Sequence, residues 1–166
     1  MVVVSRATAR DRVAQARAEG ISSEVLAVAA HEVGHGVAFA AAGYVAGPAR
    51  MRFGWLLGSP YDAGCKVGPP STTKRTAPGL LVGYAAGNAA QRLFTDRYLG
   101  WFGGAGNGSY GDRSLFAETE SYWESGLSWE QAERRAKTLL RPRLDRIAVL
   151  AVDLARTGHL PRGSFR

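Results

Sequence analysis

The chain has 166 residues, 46% of them hydrophobic and 21% charged, with a formal net charge of +7; this balance is typical of one folded globular domain and excludes a disordered or fibrous chain. Its single cysteine, Cys65, excludes an internal disulfide framework and a cysteine-rich zinc site, and it favours a reducing compartment. No apolar run reaches the roughly 18 residues of a membrane span, and the N-terminal sequence lacks the apolar core of a signal peptide, so we expect a cytoplasmic protein.

The first predicted helix covers about residues 7–18 and ends at Gly20. Its composition is largely polar, so we expect residues 1–20 to form a loosely attached N-terminal helical arm. A main domain then follows over residues 21–160, and residues 161–166 form a short tail.

The second predicted helix is the centre of the main domain. It begins at Ile21-Ser22-Ser23-Glu24, where a serine caps the first backbone amides and Glu24 complements the helix dipole. It runs to about Ala42 and stops at Gly43. Because it is apolar nearly all round, it is predicted to be buried.

This buried helix carries the motif His31-Glu32-Val33-Gly34-His35. Residues four apart on a helix lie on the same face, so His31 and His35 can hold one metal ion between them. A metal also satisfies polar groups that burial would otherwise leave without partners. The motif predicts Zn²⁺ as cofactor, His31 and His35 as metal ligands, and Glu32 as the catalytic base of a metallopeptidase that acts on a zinc-activated water.

A small hairpin is predicted after this helix. Residues 51–57 have the aromatic and aliphatic content of a strand, residues 58–64 are rich in turn formers, and residues 65–68 return as a second short strand. Such a hairpin beside the zinc helix would offer its edge to an extended peptide.

Further helices are predicted over about residues 77–94, 112–125 and 128–157. Ser128 and Gln131 form a capping box at the start of the last of these, and Pro142 is expected to kink or divide it. The glycine-rich segment 101–111 lacks the Gly-Lys-Ser/Thr ending of a phosphate-binding loop, so we interpret it as a flexible loop. The predicted fold class is therefore mainly α with a small β hairpin or sheet.

A mild basic cluster lies on the last predicted helix. Its members are Arg134, Arg135, Lys137, Arg141, Arg143 and Arg146. Acidic residues are interspersed with them, a pattern typical of a solvated helix face. A surface for an acidic partner stays open as an alternative, and nucleic acid is an unlikely partner on this pattern.

A catalytic zinc site needs about three protein ligands and an open position. Ala38 and Ala41 stand where a metzincin motif would place its later glycine and histidine, so that arrangement is excluded. The candidates for the third ligand are Asp112, Glu118, Glu120 and His159, and the residues alone leave the choice among them open.

The segments Ile21–Glu24 and Ala30–His35 together resemble the peptidase domain of the FtsH-type ATP-dependent zinc metalloproteases. The segment Gly83–Gln91 is similar to that family's second conserved helix, and Gly108–Asp112 to its loop that ends in an aspartate ligand. The resemblance implies a helical, zincin-like peptidase fold with His31, His35 and Asp112 as the ligand set. Gln91 and Arg92 depart from the family, which has two glutamates at these positions.

The chain has no ATPase motif, whereas the ATPase ring of that family unfolds and feeds the substrate. The resemblance therefore implies a zinc metallopeptidase that cleaves flexible or unfolded polypeptides, either as a homo-oligomer or with a separate ATPase partner. The alternative is a non-proteolytic, zinc-stabilised interaction or regulatory module whose basic helix binds an acidic partner.

Overall fold

The computed structural model describes residues 6–53, 60–68, 72–100 and 109–166. The fold is mainly helical with a small three-stranded antiparallel sheet. The helices are α1 (Arg6–Ala18), α2 (Ser23–Ala41), α3 (Ala77–Phe94), α4 (Ser109–Trp123), α5 (Trp129–Leu140) and α6 (Leu144–Thr157), and the strands are β1 (Val45–Phe53), β2 (Pro60–Gly68) and β3 (His159–Leu160). Within the described residues, no helix is both long and apolar enough to cross a membrane.

Helix α2 lies at the centre of the core, as its sequence predicts. Ser22 is its N-cap, and the hydroxyl of Ser22 accepts a hydrogen bond from the Val25 amide at 3.2 Å. Gly43 follows the helix with φ of 83°, and the Tyr44 amide returns to the Phe39 carbonyl at 2.9 Å. This left-handed glycine ends the helix by satisfying carbonyls of its last turn.

Helices α2 and α3 pack against each other in antiparallel directions at unusually short range. A Cβ atom added to Gly34 would lie 2.3 Å from the Cβ of Ala90, and one added to Gly83 would lie 2.1 Å from the ring of Phe39. Glycine at these two positions is therefore what lets the helices approach.

The sheet has the strand order β2-β1-β3, so β1 is central and β2 lies at an edge. Residues 60–64, which the sequence predicts as part of a turn, belong to β2 and pair with β1. The prediction of a turn is wrong for residues 60–64, because pairing with β1 decides the conformation of a short segment more than the propensities of its residues do. The end of the first predicted strand, residues 54–57, and the start of the predicted turn, residues 58–59, lie outside the described residues.

Helix α1 is not the loosely attached arm that its polar composition predicts. Ala9, Val13 and Ala16 are almost fully buried in the same core as α2 and α6. Two ion pairs also join α1 and the turn after it to α6: Arg12 with Asp153 at 3.5 Å and Glu19 with Arg156 at 2.8 Å. The narrow apolar stripe of α1 is enough to dock the helix, although most of residues 9–18 face water.

The C-terminal residues also pack on the core. Leu160 is buried, and β3 pairs with β1. The Phe165 ring lies directly against Gly36 of α2, and the Arg146 guanidinium donates to the Ser164 carbonyl at 3.0 Å. The last residues are therefore held by an apolar contact and a hydrogen bond, where the sequence suggested only a tail.

Helices α5 and α6 confirm two local predictions. The Ser128 and Gln131 side chains form the capping box at the start of α5, and Pro142 lies in a short 3₁₀ turn that separates α5 from α6. One member of the predicted basic cluster is neutralised, because Glu133 pairs with Lys137 at 3.0 Å. Glu133 also pairs with Arg92 of α3 at 3.7 Å. The remaining arginines of α5 are exposed, as a solvated face requires.

Candidate metal centre

Three side chains that the sequence predicts as metal ligands meet at one point between α2, α3 and α4. The Nε2 atoms of His31 and His35 lie 3.0 Å apart. The carboxylate of Asp112 lies 3.0 Å from His31 Nε2 and 3.3 Å from His35 Nε2. Ligand atoms about 2.1 Å from a tetrahedral zinc ion are separated by about 3.4 Å, so the two imidazole nitrogens and the carboxylate are close enough to one another to surround one small cation.

The other nitrogen of each imidazole is held by a hydrogen-bond acceptor on α3. His35 Nδ1–H donates to the Gly83 carbonyl at 2.8 Å, and His31 Nδ1–H donates to Gln91 Oε1 at 3.2 Å. A neutral imidazole has one N–H, so both Nε2 atoms must present lone pairs to each other and to the carboxylate. That arrangement is repulsive unless a proton or a metal ion lies among the three groups, and the donor set therefore fits a cation.

Gly87 leaves room for such an ion on the α3 side of the site. A Cβ atom at this position would lie 2.4 Å from His35 Nε2 and 2.5 Å from His31 Nε2. Any side chain here would therefore fill the space in front of the ligand atoms. The residues present, with this gap among them, fit a zinc ion.

The electrostatics of His35 and Asp112 show that the site attracts positive charge. Burial alone lowers the pKa of His35, but the hydrogen bond to Asp112 and the charges of Asp112 and Glu32 raise it to about 9. Burial favours the neutral form of Asp112, yet the two histidines hold its pKa well below the usual range. Without a metal, the site therefore takes up a proton.

Glu32 is buried, with 7% of its surface exposed, and it does not belong to the cluster of ligand atoms within the described residues. Its charge nevertheless acts on two other groups. It contributes to the raised pKa of His35. Burial is the main cause that raises the pKa of the Cys65 thiol to about 12, and the charge of Glu32 is the second cause. Glu32 follows His31 on α2, and α2 packs against strand β2. Its carboxylate lies outside the ligand set among the described residues, as the role of a general base requires.

Helix α4 brings Asp112 to the site. The helix begins at Ser109, three residues before the predicted start, so Asp112 lies in its first turn. Phe116, one turn further on, packs edge-on against Trp129 of α5 at 5.4 Å between ring centroids, in a small cluster with Leu81 and Ala85 of α3. This cluster fixes α4, and the preceding glycine-rich segment 101–108 lies outside the described residues.

The other candidates for the third ligand lie elsewhere. Glu120 accepts hydrogen bonds from Ser125 and from the Gly126 amide at 2.6 Å, so it stabilises the turn after α4. Glu118 is exposed on α4, and His159 is exposed on β3. Among the described residues, the group of ligand atoms that could hold a metal consists of His31, His35 and Asp112.

Sequence reasoning missed the contribution of α3. Gly83, Gly87 and Gln91 recur every fourth residue and face His31, His35 and Phe39, which recur every fourth residue on α2. This shared spacing was visible in the sequence. What the sequence lacked was the antiparallel register that places the two stripes against each other.

Comparisons with protein-family models, curated proteins and solved structures find no match for this chain. The resemblance to FtsH-type peptidases therefore stays a prediction from the sequence motifs.

Proposed function

We propose that this chain is a zinc-dependent metallopeptidase that hydrolyses peptide bonds in flexible or unfolded polypeptides. The observation that carries the proposal is the convergence of His31, His35 and Asp112, with Glu32 of the same motif beside them. Two neutral imidazoles and one carboxylate form a set of three ligands that leaves a tetrahedral zinc with an open position.

The chemistry follows from the placement of the residues. Zinc, when bound, would polarise the scissile carbonyl and acidify the attacking water. Glu32 takes the proton that the water loses as its oxygen bonds to the carbonyl carbon, and it gives that proton to the amine nitrogen as the C–N bond breaks. Burial of the histidines, each 5% exposed, keeps bulk water from competing for the ligand atoms.

Strand β2 supports a polypeptide as the substrate. Within the described residues it pairs only with β1, and it packs against α2, the helix that carries Glu32. A strand edge beside the site can bind an extended chain through main-chain hydrogen bonds. The main-chain groups of a folded protein are already paired with one another, so a folded protein cannot bind in this way. This is the reason for proposing flexible or unfolded polypeptides, with an FtsH-type peptidase domain as the nearest analogy from the sequence.

The test combines metal content with cleavage of unfolded casein. We expect the purified chain to contain zinc in a one-to-one ratio, to lose cleavage after chelation and to regain it with added zinc. Zinc binding without cleavage at any pH would instead favour the zinc-stabilised interaction or regulatory module.

Two pairs of variants separate the base from the ligands. Glu32→Gln should retain zinc and lose activity by about 10²- to 10⁴-fold, whereas Glu118→Gln, an exposed glutamate on α4, should change neither. Asp112→Asn should weaken zinc binding, whereas Glu120→Gln should leave it unchanged. Full activity of Glu32→Gln would refute the assigned mechanism.

A further inference from the structure

Gln91 is buried on α3, with 8% of its surface exposed, and its amide reaches one of the two histidines. The amide oxygen lies 3.2 Å from His31 Nδ1, in the position that the Gly83 carbonyl occupies for His35. The backbone therefore orients one imidazole, and a side chain orients the other. Only the second of these contacts can be changed by substitution without altering the main chain.

A side-chain amide has two different ends, and the end that faces His31 decides what the ring can do. The oxygen accepts from Nδ1–H and leaves Nε2 with a free lone pair that points at His35 and Asp112. The NH₂ group would instead donate to Nδ1 and force the hydrogen onto Nε2, where it would block a metal. The observed orientation is the one that a metal ligand requires.

The charge of the acceptor also matters. The carboxylate of Asp112 contacts the Nε2 atoms of both imidazoles. The acceptors at the two Nδ1 atoms are neutral: the amide of Gln91 for His31 and the backbone carbonyl of Gly83 for His35. A carboxylate at Nδ1 would make the ring a stronger ligand by increasing its basicity. A neutral amide fixes the ring without adding a second negative charge to the site.

We propose that Gln91 is a positioning residue of the metal centre: it holds His31 in the tautomer and orientation that bind zinc, and it does so as a neutral acceptor. The inference deepens the proposed function and depends on the zinc site, but not on peptide cleavage. It assigns to α3 a role in metal binding although α3 supplies no ligand.

The experiment measures zinc affinity by competition with a chromophoric chelator, for the full chain and three variants. Gln91→Leu keeps most of the side-chain volume but removes the acceptor, and it should bind zinc about 10- to 100-fold more weakly. Gln91→Glu keeps an acceptor oxygen and adds a negative charge, so its zinc affinity should equal or exceed that of the unaltered chain. Thr95→Val, which removes the hydrogen bond from the hydroxyl of the buried Thr95 to the Arg92 carbonyl beyond the site, is the control for lost stability and should leave affinity unchanged.

A spectroscopic measurement separates positioning from packing. Nitrogen-15 NMR of the zinc-loaded chain should show a slowly exchanging His31 Nδ1–H, and Gln91→Leu should lose that protection while the signal of His35 persists. Equal zinc affinity for Gln91→Leu and the unaltered chain would overturn the inference, and so would failure of Gln91→Glu to restore affinity. If the unaltered chain bound no zinc, the proposed function would fail as well, whereas zinc binding without cleavage would overturn only the peptidase.

Discussion

The two sides of the candidate metal centre are built differently. The α2–α3 pair supplies both histidines and both of their Nδ1 acceptors from a buried interface where glycines allow direct contact. Helix α4 supplies only Asp112, and much of its surface faces water, including Tyr110 and Tyr122, which are 82% and 77% exposed. Core packing therefore preorganises two ligands, whereas the third depends on a peripheral helix with a small apolar cluster of its own.

The largest expected effect comes from filling the gap on the α2–α3 side. Gly87→Ala would place a methyl group about 2.4–2.5 Å from both Nε2 atoms, closer than any carbon approaches a ligand atom. We expect zinc content to fall to background while circular dichroism still shows a helical fold. Gly111→Ala is the matched control, because it lies beside Asp112 on α4 and its Cβ would meet no atom within 4 Å. Stoichiometric zinc in Gly87→Ala would show that the ion binds elsewhere.

A smaller effect is expected from loosening the α4 side. Phe116→Ala removes the side chain of a residue that is 6% exposed. Deleting a buried phenylalanine ring lowers the free energy of unfolding by about 3–5 kcal/mol. We expect amide hydrogen exchange to speed up in α4 but not in α2, and zinc affinity to fall although no ligand is changed. Leu115→Ala, on the same helix but 47% exposed, should change neither quantity. Equal loss of protection in α2 and α4 would mean that the two sides fold as one unit.

The most modest effect concerns the ion pair between the two sides in the metal-free protein. The pKa of His35 is raised from 6.5 to about 9, so the stability that it contributes is complete below pH 6.5 and is lost as the pH rises through 9. The pKa of Asp112 is lowered, so its contribution is present above its ordinary pKa of 3.8 and disappears in stronger acid.

We therefore expect urea denaturation of the metal-free chain to give a lower free energy of unfolding at pH 9.5 than at pH 6.5. The variant Asp112→Asn should reduce this dependence, because its amide carries no charge to raise the pKa of His35. The part that remains belongs to Cys65, whose raised pKa also lowers stability as the pH approaches 9.5. An unchanged pH dependence in Asp112→Asn would show that another group titrates.

Much of the fold could be predicted because its signals are local. The caps at Ser22 and Ser128, the stop at Gly43 and the division at Pro142 depend on residues within a few positions of each other. Two other features could not be predicted from local signals. The docking of α1 depends on its contact with α6, and the start of β2 at Pro60 depends on pairing with β1. Polar composition and turn formers are outweighed there by tertiary contacts.

The geometry of the motif follows from its spacing alone: His31 and His35 are four residues apart, so both imidazoles lie on one face of a buried helix wherever that helix packs. The groups that meet them depend on tertiary packing. Asp112 is 77 residues beyond His35 in the chain, and it reaches the site because Phe116 anchors α4 to α3 and α5. Gly87 and Gln91 acquire their places because α3 runs antiparallel to α2, and that register is set by close packing of glycines across the whole interface rather than by either residue alone.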